Sequence, residues 1–502
     1  MTDQQRGGTV LAGSRLKAHT PHLDRFRSQS VTFSEAYCPS PHCCPSRATF
    51  FSGLYPSQHG VWNNVDVTNA LSTGFDAGVR LWSEDLREAG YRLYFSGKWH
   101  LSAVESPPNR GWETKSTAYG EPSPYSSDRG TKPDAVARAW AAYEADPAVP
   151  GPGTRGEGEI LRPGYGTYTH YGVHPDKFDD QSVIDDARRA LGDLAAGPEP
   201  WCLYVGTLGP HDPYFVPQEY LDLYPLEATQ LPESFADRMN DKPGLYRRTR
   251  DRYDQLSERE HREAMRHYLA FCSYQDALFG QLLEALDASG QAENTIVLFC
   301  SDHGDYVGDH GLWAKGLPCF KGAYHVPLII RDPRGKTAAG ESLDALVSLA
   351  DIAPTIKGWT ECGHSASLAK GPGRSLVPLM HGSVPADWRD AIFTQSNGNE
   401  LYGIQRSVMT RDWKLVYNGF DYDEFYDLQA DPDEMVNRID DPGVQGQVDE
   451  GMRRIWAFAR ATKDAIINSY IMVALARVGP GAAFVAGSAE GRTLILGQRG
   501  PA

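Results

Sequence analysis

The sequence predicts an α/β protein with a small α+β domain towards its C-terminal end. Three observations carry this expectation. Short apolar runs that read as buried strands (Tyr91–Phe95, Trp201–Leu208, Thr295–Cys300, Val326–Ile330) are separated by stretches of helical periodicity. Three of these runs stop at clusters of Gly with Lys, His or Asp, where ligands gather in α/β sheets. From Asp387 the texture changes to short alternating segments with turns between them.

Bulk properties bound the function. A chain of 502 residues accommodates a large domain and a smaller one, and 41% hydrophobic content supports an ordinary core. A net charge of −16 repels nucleic acid, so no such partner is expected. An anionic substrate would have to be captured by local cations. Eight cysteines are too few for a disulfide scaffold. No apolar run precedes a cleavage site, so a cytoplasmic location is expected. Ala465–Gly487 is apolar but holds Arg477 and Pro480. Residues 462–502 therefore read as a packing or oligomer arm, with a homo-oligomer expected through it and no membrane span.

In chain order, Met1-Thr2-Asp3-Gln4-Gln5 opens the sequence with no strand before Asp3. Thr20–Phe26 reads as a short capped helix, and Val31–Tyr37 as a strand. Cys43–Gly53 should enter a helix whose N-terminal amides help hold an anion. Leu81–Ala89 is helical and stops at Gly90. The strand Tyr91–Phe95 leads to Ser96-Gly97-Lys98-Trp99-His100. Ala103–Asp179, rich in Gly, Pro and Tyr, reads as a loop-bearing insertion whose His170, Tyr171 and His174 are candidates to line a pocket. After the helix Asp180–Leu194, the run Trp201–Leu208 ends in Gly209-Pro210-His211-Asp212-Pro213-Tyr214. Ser257–Ser289 is the longest helical stretch, with its aromatic residues Tyr268, Phe271, Tyr274 and Phe279 assigned to the core. Thr295–Cys300 ends in Ser301-Asp302-His303-Gly304-Asp305, and Lys315 follows in a Gly-rich loop. Leu346–Ile356 runs from strand into helix with Pro354 in the first turn. Ala391–Gln395, Tyr402–Met409 and Trp413–Tyr417 are short strands, and Gln447–Ala461 is the helix that would cover them.

Cys43-Cys44-Pro45-Ser46-Arg47, with Ser52-Gly53 five residues on, resembles the signature of the type I sulfatases of the alkaline phosphatase superfamily. Gly-Lys-Trp-His at residues 97–100 and Ser-Asp-His-Gly at 301–304 resemble two further motifs of that family. The resemblance covers about residues 1–460. It implies a large mixed sheet sandwiched by helices over 1–380, with an insertion at about 103–179 and a first strand missing before Met1. It also implies a small antiparallel sheet plus helix over 387–461. On this match Cys43 is oxidised to Cα-formylglycine by a separate formylglycine-generating enzyme. One hydroxyl of the hydrated aldehyde attacks the ester, and the other lets the covalent intermediate collapse. Arg47 holds that nucleophile. Lys98 and Lys315 bind the sulfuryl oxygens, His100 assists elimination, and His211 serves the leaving oxygen. Asp3, Gln4, Cys43, Asp302 and His303 hold one divalent metal, calcium by family habit, with manganese or magnesium as alternatives.

The implied activity is hydrolysis of a small organic or sugar sulfate ester. Two alternatives stand beside it. A phosphonate monoester or phosphodiester hydrolase would use the same nucleophile and metal. An inactive truncated relative is motivated by the missing strand. Each motif singly has a plain structural reading: a buried thiol behind Pro45, an exposed Lys98 beside a packed Trp99, a turn at Pro210–Pro213, a solvated terminus at Asp3. Their occurrence together and in order favours the catalytic reading. Lys321 stands where the family commonly has an acid, so no named substrate specificity is carried over.

Overall fold

The computed structural model describes residues 1–115, 155–162, 166–334, 339–360, 371–399, 401–466 and 476–483, with positions 137, 140, 141 and 144. Its strands are β1 (Val31–Phe33), β2 (Ala36–Tyr37), β3 (Arg92–Gly97), β4 (Glu159–Arg162), β5 (Gly166–Thr169), β6 (Tyr171–Val173), β7 (Trp201–Gly206) and β8 (Tyr214–Val216). They continue with β9 (Val297–Cys300), β10 (Leu328–Arg331), β11 (Ser342–Leu343), β12 (Val347–Ser348), β13 (Ile392–Gly398), β14 (Tyr402–Met409), β15 (Trp413–Asn418) and β16 (Glu424–Asp427). The helices used below are α1 (Pro21–Arg27), α2 (Cys43–Ser52), α3 (Trp82–Glu88), α4 (Asp180–Ala195), α5 (Glu258–Ala288), α6 (Ile352–Thr360) and α7 (Gln445–Ala461).

Strand order in the first of the larger sheets is β11-β1-β10-β9, with β3 and β7 paired separately in parallel. The first three residues stitch these pieces together. Thr2 N–H donates to Cys300 O at 3.0 Å, and Asp302 N–H donates to Thr2 O at 3.3 Å. On the other side the Met1 ammonium donates to Val205 O at 2.8 Å, and Thr207 N–H to Met1 O at 3.1 Å. Met1–Asp3 is therefore the end of a strand lying between β7 and β9. The solvated-terminus reading of Asp3 gives way: the residue is fully buried. Asp3, Lys98 and Asp302 all sit just past the carboxyl ends of neighbouring strands, which brings three distant sequence motifs to one edge.

Helix α2 begins at Cys43, and all ten of its residues are buried. Gly53 ends it with φ of 72°, a left-handed conformation that glycine adopts without a Cβ clash. Helix α5 opens with a reciprocal cap: Ser257 Oγ accepts from Glu260 N–H while the Glu260 carboxylate accepts from Ser257 N–H. Its 31 residues pack on α1, α4 and β8. The long apolar clusters fill the layers on either side of the sheet.

Three expectations are corrected. Val31–Tyr37 is two strands, because its halves pair with different partners: β1 with β10 and β11, β2 with β12. Thr20 makes no side-chain cap at α1; Pro21 in the first turn opens that helix instead. The described part of the insertion is more than loop. β4 and β5 form a hairpin, and β6 pairs in parallel with β8, a non-local partner that no local pattern announces.

The C-terminal sheet is antiparallel and ordered β13-β14-β15-β16, with a register shift between Ser396 and Gly398. α7 covers it: Val448, Met452, Ile455 and Trp456 pack on Val408, Leu415, Tyr417 and Phe425. Ile466 and Val478 join the same cluster, and Trp456 Nε1 donates to Val478 O at 2.5 Å. The described start of the arm thus packs on its own chain; residues 484–502 lie outside the described residues. Among the described residues no helix is long and apolar enough to cross a membrane.

Candidate active site

The floor of the site is a closed ionic network. Arg47, wholly buried, donates from Nε to Asp302 Oδ2 at 2.8 Å and from Nη2 to Asp3 Oδ2 at 3.1 Å. Its Nη1 donates to Lys98 O at 3.0 Å and Tyr204 Oη at 3.1 Å. Lys98 Nζ donates to Asp3 Oδ2 at 2.5 Å. Two buried carboxylates thus face two buried cations, which such a site needs if the charges are to stay ionised. Arg47 was expected to hold Cys43; in the structure its guanidinium bonds the two carboxylates instead, and its link to Cys43 runs through them.

Cys43 opens α2 at the centre of this network. Its Sγ lies 3.3 Å from His303 Nε2 and 3.8 Å from Asp3 Oδ1. His303 Nδ1–H donates to Gly304 O at 2.9 Å, which turns the Nε2 lone pair inward. Asp302 Oδ1 accepts from the main-chain N–H of Gln4 and of His303. Burial alone would raise the Cys43 thiol, but Lys315, Lys98 and His303 hold it well below its ordinary value. Burial would likewise raise Asp3, yet Lys98, His211 and Arg47 hold it far below the carboxylate range.

The rim is more open and is built from loops. His211 and Asp212 are only partly buried, and two cis X–Pro bonds flank them. Lys315 Nζ donates to His211 Nε2 and to Gln4 Oε1, both at 2.6 Å. Gln4 Nε2 donates to Asp305 Oδ2 at 2.6 Å and Asp212 Oδ1 at 3.1 Å. As a metal ligand, Gln4 would have to exchange its carbonyl's contact with Lys315. Across the mouth, His100 Nε2 meets Asp66 Oδ1 at 2.8 Å. Burial opposes the His100 charge, but neighbouring Cys44 and Asp66 raise its pKa well above the ordinary imidazole value. Gln4, His100 and Ala314 carry φ of 66°, 52° and 59°. Such left-handed non-glycine residues cost about 1–3 kcal/mol each and persist where the surroundings over-determine them.

A family model for sulfatases matches residues 1–362 of the chain. The chain belongs to the sulfatase family. A second model, for the C-terminal region of N-sulphoglucosamine sulphohydrolase, matches residues 308–459. The sulfatase is 29% identical over 477 residues to a choline-sulfatase of Rhizobium meliloti (strain 1021), covering 90% of this chain and 83% of that one. It is 26% identical over 482 residues to an arylsulfatase of Clostridium perfringens (strain 13 / Type A), covering 89% and 91%. Among solved structures, a phosphonate monoester hydrolase from Silicibacter pomeroyi superposes with TM-score 0.73 at 20% identity, over 93% of this chain and 95% of that one. A structure titled as a complex with its substrate D-glucosamine-2-N,6-O-disulfate gives 0.68 at 20% identity, over 93% and 97%. The fold is the alkaline phosphatase-like one expected, and the sulfatase is a sulfuric ester hydrolase.

The family implies a divalent metal and a modified cysteine. The residues of this sulfatase fit the metal: donor atoms of Asp3, Cys43, Asp302 and His303 lie within 4.8 Å of one another, all four residues buried. Two carboxylates and an imidazole suit a hard or borderline cation. The Cys43 sulfur stands in for the oxygens of the hydrated aldehyde.

The residues named from the sequence as catalytic or metal-ligating come together in this one site. Lys321 does not join them: it faces Glu35 at 3.4 Å. His170 and Tyr171 are buried among Tyr214, Trp313 and His267 rather than lining a pocket, and His174 is exposed. Sequence reasoning missed Asp66, Asn64 and Asp305. Asn64 Oδ1 accepts from Cys44 N–H at 3.1 Å, and Asn399 of the small domain braces Asn64 in turn. Asp305, pushed up to about 6 by burial, is bonded by Tyr214 and Gln4. Asp305 lay inside a recognised motif; Asn64 and Asp66 sit in a loop with no periodic signal.

Proposed function

We propose that this sulfatase hydrolyses a small organic or sugar sulfate ester through a formylglycine at Cys43 and one divalent metal, calcium first, with manganese or magnesium as alternatives. The observation that carries the reading is the shared point of nucleophile and ligands: Cys43 Sγ at 3.3 Å from His303 and 3.8 Å from Asp3. The formylglycine hydrate supplies the hydroxyl nucleophile. The metal, held by Asp3, Asp302 and His303, would polarise a sulfuryl oxygen and acidify that hydroxyl. Lys98 and Lys315, the two lysines whose charges act on Cys43, would bind the sulfuryl oxygens and neutralise charge that grows in the transition state. Arg47 acts through Asp3 and Asp302, fixing the ligand carboxylates. His211, backed by Lys315, serves the departing ester oxygen on the open side. His100, oriented by Asp66, would assist elimination at the second hydroxyl.

Maturation by a formylglycine-generating enzyme, a cytoplasmic setting and self-association through the arm belong to the same proposal. The alcohol is chosen at the rim. Relatives named choline-sulfatase and N-acetylglucosamine-6-O-sulfatase make choline and amino-sugar sulfates the first candidates to screen.

The test is relative turnover of an aryl sulfate and a phenyl phosphonate ester by protein matured at Cys43. The reading expects the sulfate to win by roughly 100-fold or more in kcat/KM, about 2.7 kcal/mol of transition-state preference. A phosphonate winner would assign the chain to the hydrolase alternative. Matured, metal-loaded protein that turns over neither would sustain the inactive relative.

A further inference from the structure

A second cluster of ligating side chains stands beside the Cys43 centre. Cys44, Asp66 and His100 each offer a donor atom, and these atoms lie within 4.8 Å of one another. They come from three segments: the first turn of α2, the loop after Asn64, and the turn past β3. Cys44 is wholly buried and His100 nearly so, while 18% of the Asp66 side chain is exposed. Asp66 is therefore the side open to an entering ion. The surroundings hold the donors in place. Asn64 Oδ1 accepts from Cys44 N–H at 3.1 Å, and Val65 N–H donates to Cys44 Sγ at 3.4 Å. Outer partners of this kind orient ligating side chains and tune them. Asn64 N–H donates to Asn399 Oδ1 at 2.9 Å, and Asn69 Nδ2 to Asn399 O at 3.0 Å, so the small domain pins the loop that carries Asp66. His100 Nε2 and Asp66 Oδ1, 2.8 Å apart, share a proton that a cation can replace. Two such ligands on a tetrahedral ion stand about 3.3 Å apart, so this pair need open by only about 0.5 Å.

We propose that Cys44, Asp66 and His100 form a second metal site, which takes a thiophilic divalent ion such as zinc and inhibits the sulfatase. The donor set selects the ion. One thiolate, one imidazole and one carboxylate suit zinc, with a fourth tetrahedral position left for water. At Asp3, Asp302 and His303 no thiolate remains once Cys43 is matured, and two carboxylates favour a harder ion. The two sites thus sort metals by ligand chemistry. Binding releases to solvent the Cys44 thiol proton and the proton shared by His100 and Asp66, and no electron moves. Inhibition rests on the role given to His100 under the proposed function. With one ring nitrogen on the ion and the other carrying its hydrogen, the imidazole has no lone pair left to accept a proton.

The test uses cobalt(II) as a coloured stand-in for zinc. In Cys43→Ala protein, Cys44 is the thiol left in the centre, and one cobalt per chain is expected to give a thiolate-to-metal charge-transfer band. Cys43→Ala/Cys44→Ser protein should give none. No band in the first, or equal bands in both, would overturn the proposal. Asp66→Asn in the Cys43→Ala background should weaken cobalt binding at least about tenfold, the least that loss of an outer partner costs, and unchanged affinity would also overturn it. The inhibitory part is read on calcium-loaded protein matured at Cys43. Zinc should abolish sulfate ester turnover, and a chelator followed by calcium should restore it. Cys44→Ser is expected to keep its basal turnover and to raise the zinc concentration for half-inhibition at least about 100-fold. Equal zinc sensitivity of parent and Cys44→Ser would overturn the inhibitory role and place the zinc at Asp3 and His303. A cobalt band that needs Cys44, in a chain whose matured form turns over no sulfate ester, would support the metal site and contradict the function proposed above.

Discussion

The floor and the rim of the site are built differently. The floor is fully buried, and its four charged groups, Asp3, Arg47, Lys98 and Asp302, satisfy one another from the ends of adjacent strands and the first turns of α2. The rim, with His211, Asp212, Lys315 and Asp66, is partly open and held by loops. A floor of this kind fixes what bond is broken. A rim of this kind can change its alcohol without disturbing the charges beneath. The comparison teaches where chemistry and choice separate in this chain.

The sharpest way to break the comparison is Cys43→Ala. It should lower kcat by at least roughly 10⁴-fold, while far-UV circular dichroism stays unchanged, because the lost group reacts rather than packs. Arg47→Ala attacks the floor itself. It leaves two buried carboxylates with one cation and should cost about 3–5 kcal/mol of unfolding free energy in denaturant titration. Equal stability of variant and parent would mean the floor is not the closed network described. His211→Ala tests the rim. It should cost about 100-fold in kcat for alkyl sulfates and much less for a nitrophenyl sulfate, whose leaving oxygen needs no proton. Stability should change by less than about 1 kcal/mol, as for a partly exposed residue outside the core.

The smallest effect concerns the support behind the rim. Asp180, fully buried, accepts from Leu208 N–H at 2.7 Å, Gly209 N–H at 2.8 Å and Gln275 Nε2 at 2.9 Å, and so anchors the loop that carries His211. Burial pushes its pKa up to about 6. Between about pH 4 and 6 the unfolded chain releases this proton first, so the native state binds more protons and parent stability falls as pH rises. Asp180→Asn removes that dependence. The variant should be less stable by about 1–3 kcal/mol at pH 4, with the gap narrowing towards pH 7. A gap that widens with pH would reverse the assignment.

Much of this was legible in the sequence, and the reason is physical. Lys98, His211, Asp302 and Lys315 are legible through their likeness to family motifs, and the position of the first three just past apolar strands supports that reading. Most helix and strand bounds followed from period and punctuation, as at Gly53 and Gly90. What stayed hidden is non-local. Asp66 finds His100 across 34 residues, and Asn399 braces Asn64 across 335. The parallel pairing of β6 with β8 depends on no turn signal. The extended path of Met1–Asp3 could not be read either, because the partners that make it a strand end lie some 200 and 300 residues downstream.

The central claim is that the point shared by Cys43, Asp3 and His303 is where a formylglycine works. Tandem mass spectrometry of the tryptic peptide spanning Cys43, after expression with a formylglycine-generating enzyme, tests it most directly. The account predicts that residue 43 carries an aldehyde, its sulfur replaced by oxygen with two hydrogens lost, while Cys44 stays a thiol. Folded protein that hydrolyses sulfate esters with Cys43 unmodified would contradict it.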